Sequence, residues 1–291
     1  MGTMSRLRIG VAALGMAAAL PAAAQSAAPA APGYTMPATA MWDLPATRGE
    51  IYRILVSFPA GEPPADGWPV LYVLDGNAAF AGFAEARRVQ EGTDIGKSIV
   101  VGVGYPTDKA YDKRRLYDLT GGPTSSPPYA RLNAERNGGW DKFLDFLTGT
   151  LRDEIGKRYR INRDRQALFG HSLGGLFVMH TLFTRPGAFH ALIAASPSPF
   201  WHEKEMQKEE RDFTAKLVSG KIPKVSRMLI VAGDREEAIV ERWDGEDFAK
   251  RIEPLSAYGL RSRSQIYVGE GHMTVPSRAI TDTLRFAFTW P

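Results

Sequence analysis

From about Glu50 onward, short apolar runs alternate with longer amphipathic ones, and few folds accept that alternation. A strand joined to the next by a crossover helix returns parallel to it, so the pattern predicts a mostly parallel, twisted α/β sheet with helices on both faces. The apolar runs predict strands at Ile51–Phe58, Val70–Leu74, Ser98–Val103, Gln166–Phe169, Ala191–Ala195, Met228–Val231 and Ser264–Val268. Helices are expected at about Ala78–Gln90, Trp140–Tyr159, Leu173–Thr184, Glu203–Ser219, Glu246–Tyr258 and Pro276–Phe288. A Gly-, Pro- and Ser-rich loop at about 106–139 interrupts the alternation, and a loop of that length is expected to be functional or mobile.

The first 24 residues follow a different rule. Arg6 and Arg8 precede an apolar stretch from Ile9 to Leu20, and Ala22-Ala23-Ala24 stand before Gln25, the pattern of a secretory signal peptide. A membrane anchor needs roughly 20 apolar residues, and Pro21 ends this run short. Residues 25–40 are Ala/Pro-rich and predict a disordered leader, which leaves 41–291 as the folded domain of a periplasmic or secreted protein without stable membrane insertion.

Composition removes several chemistries. There are 36 Lys+Arg against 32 Asp+Glu, and without residues 1–24, which hold two arginines and no acid, the balance is 34 against 32. That gives no support to nucleic-acid binding. The chain has no cysteine, which excludes disulfides, thiolate nucleophiles and cysteine-held metals; any catalysis uses oxygen and nitrogen groups.

Gly170-His171-Ser172-Leu173-Gly174 is a G-x-S-x-G turn, in which a serine stands between a strand and a helix. Fifteen serines with a glycine at about one position in ten predict roughly 0.15 such matches by chance, so context must decide. The context is favourable: Arg165–Phe169 reads as a strand and Leu173–Leu182 as an apolar helix, with Gly174 and Gly175 allowing close approach to the sheet. Ser172 is therefore the candidate nucleophile, and it needs a base. Of five histidines, His171 lies in the turn itself and is expected to point away, His180 is inside the next helix, and His190 and His202 flank the next strand. His272, in the loop Val268–His272 after the last strand, follows the chain order serine, acid, histidine and is the candidate base. The acid is expected after the preceding strand, where Glu236 fits best and Asp234 is the alternative. Two backbone N–H groups should stabilise an oxyanion: that of Leu173, and that of Asn77, with Gly76 in reserve, in the turn ending Leu74-Asp75-Gly76-Asn77.

These strings, with Ala195-Ser196-Pro197-Ser198, Val100-Val101-Gly102-Val103-Gly104-Tyr105 and Arg115-Leu116-Tyr117-Asp118-Leu119-Thr120, resemble the Putative esterase family of α/β-hydrolases. Within it they are most similar to the periplasmic siderophore esterases that open the trilactone of enterobactin and salmochelin. The resemblance spans about 50–288. It implies an α/β-hydrolase fold, ester hydrolysis through an acyl-enzyme on Ser172, no cofactor or metal, and an active-site arginine at Arg115. A ferric catecholate is a trianion with planar rings, so Arg115, Arg88 and Trp201 are candidate substrate-binding residues. A general carboxylesterase, or an acyltransferase using the same Ser172 and His272, would carry the same motifs.

Overall fold

The computed structural model describes residues 34–46, 49–124, 126–133, 136–236 and 245–289. Residues 1–24, expected to be a signal peptide, and most of the expected leader lie outside the described residues. One compact unit starts at Pro37.

Eight strands form a single sheet: β1 (Thr39–Pro45), β2 (Ile51–Ser57), β3 (Trp68–Leu74), β4 (Ile99–Gly104), β5 (Ile161–His171), β6 (Ala191–Ala195), β7 (Arg227–Gly233) and β8 (Ser262–Tyr267). Their order is β1-β2-β4-β3-β5-β6-β7-β8, with β1, β2 and β4 pairing antiparallel and the rest parallel. Strand β1 was not expected. Its Thr39 and Ala40 pair with Ser57 and Val56, so residues assigned by composition to the leader join the sheet. They are legible only through that pairing, because a half-exposed edge strand needs no apolar run.

The helices are α1 (Gly76–Arg88), α2 (Arg115–Asp118), α3 (Trp140–Phe146), α4 (Arg152–Arg158), α5 (Leu173–Thr184), α6 (Glu203–Val218), α7 (Gly245–Ile252), α8 (Val275–Arg278) and α9 (Ile280–Phe288). The stretch read as one helix over Trp140–Tyr159 is α3 and α4 joined by a π-turn at Leu147–Leu151.

Successive side chains of a strand face opposite ways, so central strands covered on both sides must be apolar throughout. All seven residues of β3 are buried. Val70, Tyr72 and Leu74 join Phe143, Leu176 and Phe177 in one layer, whereas Phe169 of β5 faces Phe83 of α1 across the sheet, ring centroids 4.9 Å apart. Eleven of the twelve residues of α5 are buried, which explains its lack of a polar face. The parallel strands end along one edge, and in open α/β sheets sites form in the crevice beyond those carboxyl ends.

Candidate active site

Strand β5 ends at His171 and α5 begins at Leu173, so Ser172 makes the whole turn, with φ 59° and ψ −115°. A non-glycine residue held there costs on the order of 1–3 kcal/mol, and the surroundings must enforce it. The Ser172 N–H donates to the Ala195 carbonyl at 3.0 Å, tying the turn to β6. A Cβ on Gly170 would collide with the Gly174 carbonyl, and one on Gly175 would lie 2.8 Å from Pro197 Cα. Gly174 was expected to share this packing role, but a Cβ there meets nothing closer than 3.7 Å. The close approaches belong to Gly170 and Gly175.

His272 follows β8 and presents Nδ1 to Glu236 Oε2 at 3.0 Å. Glu236 follows β7 and is 5% exposed; its Oε1 accepts the Gly233 N–H at 3.0 Å and the Ser196 hydroxyl. Burial alone would raise the Glu236 pKa, but the hydrogen bonds from His272, Gly233 and Ser196 outweigh it and hold the carboxyl below its usual range. The alternative acid, Asp234, is exposed and accepts the Gly269 N–H at 2.7 Å, shaping the loop that carries His272. With Nδ1 committed, Nε2 is the His272 nitrogen left without a hydrogen-bond partner. The Ser172 hydroxyl lies 3.3 Å from that of Ser198 and makes no hydrogen bond to His272. Such contacts are often loose without substrate.

The remaining histidines have other partners. His180 is held by Glu209 and Asp141 and stacks on Trp140, ring centroids 3.8 Å apart. His190 bridges the carbonyls of Gln166 and Ala287. His202 is buried, its Nδ1 4.0 Å from Glu205 Oε2. His171 is the correction: instead of pointing away, its ring lies 4.7 Å from that of His272, and Nε2 donates to the His272 carbonyl at 2.8 Å. Burial pushes its pKa down to about 4, so near neutral pH it is an uncharged support.

Both expected oxyanion donors sit at helix starts, where the first N–H groups have no intrahelical acceptor. In α1 the Ala78 and Ala79 N–H groups turn back to the Asp75 carbonyl, which leaves those of Gly76 and Asn77. In α5 the Leu176 N–H reaches the Ser172 carbonyl, which leaves Leu173 to Gly175. The Asn77 side chain adds an unforeseen clamp, accepting the Tyr105 N–H at 2.8 Å and donating to the carbonyls of Tyr105 and Thr107.

The substrate-binding candidates fare differently. Arg88 ends α1, and at about 1.5 Å per residue a helix of that length carries it roughly 18 Å from the Asp75 turn. It pairs with Glu85 at the other edge of the sheet and is removed from the site. Trp201 is 2% exposed and donates to the Gly122 carbonyl; it roofs the core and offers no stacking face. Arg115 lies at the site, but Nε and Nη2 each bond Asp75 at 2.9 Å and its side chain is 14% exposed. Its neighbour Arg114 pairs with Asp118. Among the described residues of this loop, the exposed cations are Lys109, Lys113, Arg131 and Arg136.

Sheet order, the serine turn after β5 and a histidine–carboxylate pair from the last two strand ends together make this chain a serine hydrolase of the α/β-hydrolase fold. It belongs to the Putative esterase family, whose family model matches residues 45–272. It is 34% identical over 245 residues, 81% of this chain and 84% of the relative, to the ferri-bacillibactin esterase BesA of Bacillus subtilis (strain 168). It is 38% identical over 213 residues, 68% of each chain, to the siderophore triacetylfusarinine C esterase of Aspergillus fumigatus. Among solved structures, the BES protein from Bacillus cereus matches with a TM-score of 0.80 at 30% identity, covering 90% of this chain and 100% of that one.

Proposed function

We propose that the chain hydrolyses the ester bonds of an iron-chelating siderophore of the catecholate trilactone class, with Ser172 as nucleophile, His272 as base and Glu236 as the orienting acid. The observation that carries the chemistry is the His272 Nδ1–Glu236 Oε2 pair at 3.0 Å, on the edge of the sheet where Ser172 makes its turn. Ser172 Oγ attacks the ester carbonyl while His272 Nε2 takes its proton; Glu236 keeps Nδ1 protonated and stabilises the imidazolium. The N–H groups of Leu173 and Asn77 receive the oxyanion. Collapse expels the alcohol, protonated by His272, and leaves an acyl group on Ser172. Water then attacks the acyl carbonyl, giving a proton to His272, which returns it to the departing Ser172 Oγ as the carboxylic acid is released and the free enzyme is restored.

The siderophore-ester part of this reading is supported by the two relatives, a bacterial ferri-bacillibactin esterase and a fungal siderophore triacetylfusarinine C esterase; the catecholate part is supported by the resemblance to enterobactin and salmochelin esterases. The test is to incubate the purified protein with a tri-catecholate lactone, ferric and iron-free, and with neutral aryl esters, and to identify products by mass. Stepwise gain of one water per lactone bond is the expected result. Turnover of aryl esters alone would leave a general carboxylesterase, and transfer to an added alcohol in preference to water would make it an acyltransferase. Export to the periplasm is part of the same reading, supported by the pattern of residues 1–24. No helix among the described residues is long and apolar enough to cross a membrane. Fractionation of cells expressing the full chain tests the location.

A further inference from the structure

We propose that Arg115 is a positioning residue that holds the Asp75 carboxylate away from the oxyanion turn, and not a group that binds the charge of the substrate. The inference rests on the ester-hydrolase reading above, and on Asn77 as an oxyanion donor in particular.

Asp75 occupies the N-cap of α1, and an aspartate there ordinarily turns its carboxylate onto the N–H groups of the second and third helical residues. Those residues are Asn77 and Ala78. Capping Asn77 in that way would occupy the donor that the oxyanion needs and would place a negative charge beside it. In this structure Asp75 makes no side-chain capping bond. Its carboxylate faces the Arg115 guanidinium instead, in a fork with both contacts at 2.9 Å, the two side chains 14% and 4% exposed. The diverted carboxylate leaves the Asn77 N–H unpartnered.

Three further features make the geometry rigid. Asp75 has φ 51° and ψ 48°, a left-handed conformation that non-glycine residues hold only under constraint. Gly76 has no room for a Cβ, which would meet the backbone of Gly102 and Val103 at 2.8 Å. The Asn77 side chain is bound on the opposite side, to the backbone of Tyr105 and Thr107. The pair also adjoins the second donor, because a Cβ on Gly174 in the first turn of α5 would stand 3.7 Å from Asp75 Oδ2. A guanidinium matched to a buried carboxylate by two parallel bonds has little field left for a ligand, and its planar fork is what a lysine cannot reproduce.

The experiment compares Arg115→Gln, Arg115→Lys, Asp75→Gly and the double variant Arg115→Gln/Asp75→Gly on a neutral p-nitrophenyl ester and on a tri-catecholate lactone, with folding checked by circular dichroism. Removing an oxyanion donor outright costs about 100–1000-fold in kcat, so displacing or neutralising one should cost about 10–100-fold. Arg115→Gln is expected to lose that much kcat on both substrates, with KM within about twofold. The double variant should recover at least about threefold of the loss, because no side-chain oxygen remains at position 75 to cap Asn77, and glycine suits the φ of 51° there; a purely structural salt bridge would show no such recovery. Arg115→Lys should fall between wild type and Arg115→Gln, and carries the comparison if the glutamine variant does not fold. A loss confined to KM for the lactone, a tighter lactone KM in Asp75→Gly, a double variant no better than Arg115→Gln, or unchanged kcat in Arg115→Gln each overturns the proposal. Ser172→Ala run alongside separates the two levels: turnover that survives it refutes the serine-hydrolase reading, whereas turnover that it abolishes but Arg115→Gln leaves intact refutes only this inference.

Discussion

The imidazole of His171 is hydrogen-bonded to the backbone of His272, Nε2–H to carbonyl oxygen at 2.8 Å, so the residue before the proposed nucleophile supports the proposed base. The contact joins the ends of β5 and β8 across the site. Its physical basis is a neutral, buried imidazole whose Nδ1 has no partner.

Replacing His171 by Gln should lower kcat about tenfold by loosening the His272 loop, while the pH of half-maximal kcat stays within about 0.3 units, since His171 exchanges no proton in turnover. The same variant should alter acid stability. The folded-state pKa, about 4, lies below the ordinary 6.5, so protons favour the unfolded chain, and stability present above about pH 6.5 is lost as the pH falls toward 4. The shift corresponds to up to about 3 kcal/mol. Urea midpoints measured at pH 8 and pH 5 should therefore differ less in His171→Gln than in wild type; an equal difference would place the acid sensitivity elsewhere.

Ser172→Ala should abolish ester hydrolysis in a folded protein. Ser172→Gly should be equally inactive yet more stable, because φ 59° suits glycine. The relief of about 1–3 kcal/mol outweighs the roughly 0.5–1 kcal/mol that glycine costs in the unfolded chain. A thermal midpoint for Ser172→Gly below that of Ser172→Ala would show that the turn stores no strain.

His272→Ala should cost at least about a thousandfold in kcat, and Glu236→Gln less, because the acid orients and stabilises the imidazolium without touching substrate. Asp234→Ala should have a small effect, since its carboxylate binds only the exposed Gly269 N–H. Steady-state kinetics of the three variants decide this, and a silent Glu236→Gln beside a damaging Asp234→Ala would exchange the two acids.

Gly170→Ala should fail to fold or lose several kcal/mol, because the obstructing atom is the Gly174 backbone carbonyl and cannot give way. Gly174→Ala should leave the unfolding midpoint within about 1 kcal/mol, its nearest neighbours being at 3.7 Å. Reversal of that order in urea denaturation would contradict the packing described for the turn.

Those features that depend on local pattern could be read from residue order. The central strands are buried on both faces and so appear as unbroken apolar runs, and the elbow appears because only glycine fits at Gly170 and Gly175. The G-x-S-x-G turn pointed to Ser172 and chain order to His272, with Glu236 preferred over Asp234 for the acid, since in this fold the site must form where successive parallel strands end. Edge strand β1 escaped notice because half-exposed residues carry no such run.

What residue order does not encode is which partner a long side chain finds once distant loops meet. Arg115 and Asp75 are 40 positions apart, Ser196 and Glu236 are 40 apart, and His171 and His272 are 101 apart. Each pair forms because parallel strands deliver their carboxyl ends to one edge, where burial leaves a charged or polar group no alternative to the nearest complementary one. The same geometry removes Arg88, which shares a helix with Asn77 but rides it to the opposite edge of the sheet. The chemistry of this chain was therefore written locally, whereas the roles of its arginine and of its second histidine were decided by tertiary contact.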